Sequence, residues 1–184
     1  MFGQSIGIVG AGSIGMAVAE RARAFGLEVI MIEKPGRSPA LLQRMQSLGI
    51  RTVDSLEQLV RNSDIVTVHV PAAPGTKNLV DEDFLGWMRD GAIILNTSRG
   101  DVVDEPALLE ALDSKGLRAG LDVYKNEPGA SSGEFESELA RHPNVYGTHH
   151  IGASTDQAQA AVADGVIEII NAYAEGSIIN RVNQ

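Results

Sequence analysis

The sequence predicts an α/β fold, a doubly wound and mostly parallel sheet with helices on both faces, giving three layers. Short apolar runs and amphipathic helical stretches alternate from one end of the chain to the other, and parallel strands require crossovers of the kind helices supply. The cores of the runs, such as Val29 to Ile32 and Ala92 to Leu95, are apolar without alternation, the pattern of strands covered on both faces. Glycine is abundant, at 20 of 184 residues against a usual share of ~7%, which fits many tight turns and close backbone approaches.

Ser5 to Gly10 reads as the first strand. Ile14, Ala17, Val18, Ala22 and Phe25 then recur at helical spacing, and Gly26 stops that helix. Leu27 to Ile32 is the second strand. Ser38 followed by Pro39 opens a helix with Leu41, Leu42, Met45 and Leu48 on one face, ended by Gly49. Ser55 and Gln58 form a capping box ahead of Leu59 and Val60. Asp64 to Val70 is a strand closed by Pro71, Asp83 to Met88 a short helix, and Gly91 to Asn96 another strand. Asp104 caps a helix bearing Leu108, Ala111 and Leu112 that ends at Gly116, and Leu117 to Val123 is the next strand. Pro128 to Glu138 is small, polar and acidic, the composition of a mobile loop. Asn144 to Gly147 is a short strand, and a last helix starts near Ser154 or Thr155 with Ala158, Ala161, Val162, Val166, Ile169, Ile170 and Tyr173 as its apolar face.

With 43% hydrophobic and 21% charged residues, the chain has the balance of a soluble globule. No internal repeat or linker divides it, so residues 1–184 are expected to form one domain. The net charge of −9 disfavours a nucleic acid partner, whose phosphates it would repel, and no basic face is available for an anionic membrane. No apolar run approaches the ~18 residues of a membrane span. The absence of cysteine removes disulfides, thiolate metal sites and a cysteine nucleophile, and fits a reducing compartment, here read as the cytoplasm. No metal site is expected.

Gly10-Ala11-Gly12-Ser13-Ile14-Gly15 matches G-x-G-x-x-G and sits between the first strand and the first helix, where a phosphate-binding turn needs it. Gly10 permits the tight turn, Gly12 lets a pyrophosphate approach the backbone, and Gly15 lets helix and strand pack closely. The phosphates then meet free N–H groups and the positive end of the helix dipole. Glu33 ends the second strand, eighteen residues beyond Gly15, where a carboxylate accepts the hydroxyls of an adenine ribose and repels a 2′-phosphate. NAD is therefore favoured over NADP, although Lys34 and Arg37 lie close enough to receive a 2′-phosphate. These features describe a dinucleotide-binding Rossmann domain without naming a reaction.

Three further clusters follow strands, on the edge where doubly wound sheets bind ligands. In Asn96-Thr97-Ser98-Arg99-Gly100 a buried strand delivers an arginine able to clamp a carboxylate. In Asp122-Val123-Tyr124-Lys125-Asn126-Glu127-Pro128, Glu127 stands ahead of a proline. In Thr148-His149-His150-Ile151-Gly152-Ala153-Ser154-Thr155 a histidine precedes the last helix. A carboxylate beside a histidine orients the ring and favours the imidazolium.

These motifs, together with His69-Val70-Pro71 and Thr76, resemble the NAD-binding domain of the D-isomer-specific 2-hydroxyacid dehydrogenases, from Ile6 to about Asn183. The resemblance implies that Arg99 binds the substrate carboxylate and carbonyl, His150 is the acid–base and Glu127 supports it. It further implies a cofactor site of Gly10, Gly12, Ser13, Ile14, Gly15, Glu33, His69, Val70, Pro71, Thr76, Thr97, Ser98, Asp122 and Gly152, with a structural role for His69 an equal alternative. The run from His150 to Gln159, with Arg181 to Asn183, is most similar to the phosphoglycerate dehydrogenase branch, which implies 3-phosphoglycerate as substrate and a place in serine biosynthesis. The expected partners are a small 2-hydroxy or 2-keto acid and a second copy of the chain, docked through this domain. The family usually has proline before the catalytic histidine. Here that residue is His149, which leaves His149 as the alternative acid–base. The family's substrate-binding domain is absent from the 184 residues, so the chain reads as an excised or truncated cofactor domain with little turnover of its own. The alternative is an NAD(H)-binding scaffold or sensor.

Overall fold

The structure, a computed structural model, describes residues 2–128 and 135–181. By its internal contacts the chain falls into two units, Met1–His149 and His150–Gln184.

The first unit is built on a seven-stranded sheet of β1 (Ser5–Val9), β2 (Glu28–Ile32), β3 (Arg51–Val53), β4 (Ile65–Val68), β5 (Ile93–Asn96), β6 (Arg118–Leu121) and β7 (Val145–Gly147), in the order β3-β2-β1-β4-β5-β6-β7. Every pairing is parallel. The crossover elements are α1 (Ser13–Ala24), α2 (Pro39–Ser47), α3 (Leu56–Arg61), α4 (Glu82–Trp87), α5 (Glu105–Ser114) and α6 (Glu138–Arg141), with a 3-10 turn at Gly100–Val102.

Two apolar clusters show how the layers are divided. Ile6 and Ile8 of β1 and Val29 and Met31 of β2 pack with Met16, Ala19 and Ala22 of α1 and Met45 of α2. Ile30 of β2, Val66 and Val68 of β4 and Ile94 of β5 pack with Leu59 and Val60 of α3, Phe84 and Leu85 of α4, and Leu108 and Leu112 of α5. Adjacent residues of one strand therefore feed opposite faces, as the pleat requires, and the sheet is covered on both sides in the predicted three layers. At Gly7 of β1 even a Cβ would strike Ser63 and Leu59, so α3 and the chain after it lie directly on the central strand.

The start of the sheet is tied by Asp64, whose Oδ2 accepts the Ser5 backbone N–H and the Ser5 hydroxyl, each at 2.8 Å. Asp64 also pairs with Arg89. The Ser5 N–H holds the Asp64 carboxyl below its ordinary range, with the Ser5 hydroxyl and Arg89 adding to the effect against the opposing cost of burial.

Several elements go beyond the sequence reading or correct it. The edge strand β3 is too short to show a pattern, and α6 lies at the end of the stretch read as a loop, with Ser137 accepting the Ala140 N–H. Residues 129–134 of that stretch lie outside the described residues, as do Val182 and Asn183. In α2 only Met45 is fully buried and Leu42 faces solvent. The predicted caps at Ser38, Ser55 and Asp104 all accept backbone N–H groups, and Thr155, one of the two residues near which the last helix was expected to start, does the same. The Gln58 side chain, however, bonds the N–H of Asp54, one residue before the cap.

The second unit contains α7 (Asp156–Ala174), capped by Thr155. Its expected apolar face forms, but none of the helix is buried: Val162, Val166, Ile169, Ile170 and Tyr173 are all exposed.

Candidate active site

The sheet order reverses direction between β1 and β4, and a doubly wound sheet opens a ligand crevice beyond the carboxyl ends of its strands at such a point. The turn Gly10–Gly15 leaves β1 there. Gly10 has φ +110, in the region open to glycine, and a Cβ on it would collide with the His69 carbonyl. The His69 N–H in turn donates to the Val9 carbonyl at 2.8 Å, so the two chain ends on either side of the crevice are stitched together. A Cβ on Gly15 would run into the Gly10 carbonyl, whereas one on Gly12 would meet nothing within 4 Å. Two of the three glycines are thus filled by the protein's own backbone, and the third faces open space where a pyrophosphate could approach.

Helix α1 strengthens that fit. Each of α2 to α7 has a Ser, Asp or Thr side chain accepting an N–H of its first turn. Helix α1 follows Gly12 with no side-chain cap and no acidic residue in its first turn. Its first N–H groups therefore remain for an outside acceptor. Ser13 and Ile14 are both exposed. At the end of β2, exposed Glu33 accepts the Thr52 hydroxyl at 3.3 Å. Arg37 is folded inward onto the Ile32 carbonyl and the Met45 sulfur.

After β4, His69 is half-buried and its Nε2 lies 3.0 Å from the Thr67 hydroxyl. Burial lowers its pKa, which keeps the ring neutral at neutral pH. Val70 follows against Gly10. The loop from Pro71 is closed by Thr76, whose hydroxyl donates to the Pro71 carbonyl at 2.6 Å and accepts the Ala73 N–H at 3.0 Å.

After β5, the arginine loop is organised by Asn96, a fully buried polar residue that the sequence reading passed over as the tail of a strand. Its Oδ1 accepts the Ser98 N–H at 3.0 Å and the Ser98 hydroxyl at 2.7 Å, and its Nδ2 donates to the Arg99 carbonyl at 2.9 Å. Thr97 and the Arg99 side chain are exposed at the crest, with Arg99 Nη1 donating to the Ser98 carbonyl at 2.6 Å. Gly100 then lies so close to Tyr124 and Lys125 that a Cβ would collide with their backbone. The loops carrying Arg99 and Glu127 are therefore in direct main-chain contact. Glu127 is half-buried.

Buried Asp122, after β6, accepts the Thr148 hydroxyl at 2.6 Å. The segment leading to the histidines is thereby fastened to the strand that leads to Glu127. Burial raises the Tyr124 pKa, with the charges of Glu105 and Asp122 adding to it. His149, the last residue of the first unit, is exposed. His150 and Gly152 belong to the second unit; both are exposed, and His150 has φ +58, a left-handed conformation uncommon for a residue with a side chain.

Residues 1–152 match the model of the D-isomer specific 2-hydroxyacid dehydrogenase NAD binding domain. The chain belongs to that family. Among its relatives, the D-3-phosphoglycerate dehydrogenase of Methanocaldococcus jannaschii is 36% identical over 184 residues, covering 99% of this chain and 33% of that protein. The glyoxylate reductase of Thermococcus litoralis is 37% identical over 177 residues, 96% of this chain and 50% of that protein. The apo D-mandelate dehydrogenase of Rhodotorula graminis superposes with a TM-score of 0.87 at 31% identity, covering 100% of this chain and 52% of that one. The chain thus spans about a third to a half of the length of these relatives. The matched family is one of NAD-binding domains. No described helix is long and apolar enough to cross a membrane.

Proposed function

We propose that this chain is the cofactor-binding part of a dehydrogenase that interconverts a D-2-hydroxy acid and its 2-keto acid, with 3-phosphoglycerate and 3-phosphohydroxypyruvate as the pair. The observation that carries the reading is the shared edge. The open phosphate turn at Gly12, the Arg99 loop and the Glu127 loop all leave the carboxyl ends of one sheet, and the last two touch through Gly100.

NAD, when bound, supplies the hydride acceptor for oxidation and the donor for reduction. The turn Gly10–Gly15 with Ser13 and Ile14 holds its phosphates, and Glu33 takes the ribose hydroxyls. His69, Val70, Pro71, Thr76, Thr97, Ser98, Asp122 and Gly152 line the rest of the site. The carboxylate of Glu33 favours NAD over NADP, and Arg37, already turned to the Ile32 carbonyl, is occupied away from a 2′-phosphate. Arg99 clamps the substrate carboxylate through paired N–H donors and steadies negative charge on the carbonyl oxygen. His150 is assigned the acid–base role, taking the hydroxyl proton in oxidation and returning it in reduction, and Glu127 the supporting role that the family resemblance implies. The run Ile151 to Gln159 and the phosphoglycerate dehydrogenase relatives support 3-phosphoglycerate and a role in serine biosynthesis, while the glyoxylate and mandelate enzymes mark competing substrates. A homodimer formed through this domain, in the cytoplasm, completes the reading.

Calorimetric titration with NADH and NADPH, beside a steady-state assay with 3-phosphoglycerate, glyoxylate and D-mandelate, tests it. NADH is expected to bind and to bind tighter than NADPH. Turnover by the 184 residues alone is expected to fall below the ~1–10³ s⁻¹ of ordinary enzymes, because domain closure in the family supplies much of the orientation. Tighter NADPH binding would overturn the role of Glu33. Failure of both cofactors at millimolar concentration would overturn the whole reading.

A further inference from the structure

The loop that carries Glu127 is held by a residue outside it. Glu105 is the first residue of α5, and its Oε1 accepts the backbone N–H of Lys125 at 2.7 Å, across twenty positions of sequence. The next residue, Asn126, has φ +60, a left-handed conformation that asparagine adopts more readily than most residues with a side chain and that turns the chain immediately before Glu127. On the other side of Lys125 lies Gly100, pressed against the backbone of Tyr124 and Lys125.

A glutamate in the first turn of a helix is favoured by the helix dipole alone. The dipole does not require a short bond to a distant main-chain N–H, and Glu105 makes one from a fixed base. Asp104 caps α5 by accepting the Ala107 N–H at 3.3 Å and also accepts the Asn78 amide at 3.3 Å. Leu108, Ala111 and Leu112 bury the inner face of the helix.

We propose that Glu105 is a positioning residue, clamping the Glu127 loop to α5 and, through the contact of Gly100 with Tyr124 and Lys125, holding Glu127 and Arg99 in one rigid frame. This rests on the reading of Arg99 and Glu127 as substrate-side groups. The clamp sets the place of the carboxylate without touching substrate or cofactor.

Amide hydrogen exchange followed by NMR on the ligand-free 184-residue chain tests the clamp. In Glu105→Ala the Lys125 amide is expected to exchange at least ~tenfold faster, the scale of losing a charge-assisted hydrogen bond. The Ile94 and Leu95 amides of β5 should keep their rates. Glu105→Gln keeps a carbonyl acceptor of the same length and should restore Lys125 to within about threefold of the original rate. Unchanged exchange at Lys125 in the alanine variant, acceleration shared equally with β5, or no rescue by glutamine would each overturn the proposal. Should the alanine variant fail to fold, tyrosine absorbance titration of Glu105→Gln decides. Tyr124 is buried beside this charge while Tyr146 and Tyr173 are exposed. One phenol of three should therefore ionise at lower pH than before, and an unmoved titration would overturn the placement of Glu105. All of these readouts come from ligand-free protein, so failure to bind NADH or to turn over substrate would be a separate result.

Discussion

At the scale of single residues, the glycines of the phosphate turn separate folding from binding. Gly15→Ala drives a methyl into the Gly10 carbonyl and is expected to cost at least about 1–3 kcal/mol, the usual range for overpacking. Gly12→Ala points its methyl into open space and should leave the melting temperature unchanged while weakening NADH more than ~tenfold, because it occupies the approach of the phosphates. Calorimetry of both variants, by melting and by titration, checks the pair. The motif was legible because each glycine has a geometric reason at that spacing. Asn96 and Glu105 were not legible for the opposite reason. Their partners are main-chain groups of loops, at Ser98, Arg99 and Lys125, and no side-chain pattern announces such a bond.

His69 gives a residue-scale prediction in pH. Burial lowers its pKa in the folded chain from 6.5, so below pH 6.5 the unfolded chain takes up the proton first. Its contribution to stability is complete above pH 6.5 and is lost as pH falls from there toward the folded-state pKa. The melting temperature of the original chain relative to His69→Asn should accordingly drop between pH 7.5 and 5. A difference that stays flat would show a ring equally ready to ionise in both states.

Among the elements, α4 ends abruptly and is finished by a residue from another part of the chain. Lys115 Nζ donates to the Leu85 carbonyl at 3.0 Å and the Gly86 carbonyl at 2.7 Å, and also reaches Met88. It thereby satisfies the terminal carbonyls that a helix cannot pair internally. Lys115→Met is expected to lose about 1–3 kcal/mol, read as a lower denaturation midpoint with NADH affinity intact. Elements were predicted best where they carry their own punctuation: Ser38-Pro39 and Asp104 mark their helices, and both cap as read. The strand β3 and helix α6 have three and four residues, too few to establish a period of 2 or 3.6. They exist because a neighbouring strand or loop offers them partners.

For the whole molecule, the alternation of apolar runs was enough to specify a parallel sheet, since no other connection joins strands of that kind. Periodicity says that a helix has an apolar face and is silent on whether anything covers it, and α7 forms as expected with that face exposed.

The order of the strands also shapes how the protein comes into being. The central strand β1 is synthesised first, yet one of its two neighbours, β4, arrives much later: Ile6 pairs with Ile65. At roughly 5–20 residues per second of translation, that gap amounts to about 3–12 s during which a strand of five buried residues has one open edge. Unpaired apolar edges of this kind are what nascent chains lose to aggregation and what chaperones cover. Ribosome-bound chains halted before β4 should therefore be captured by a hydrophobic-segment chaperone. Chains halted after β5 and β6 have emerged should not be. A circular permutant opened between β3 and α3, which brings β4 out before β1, should shift that window of vulnerability to the new order of emergence.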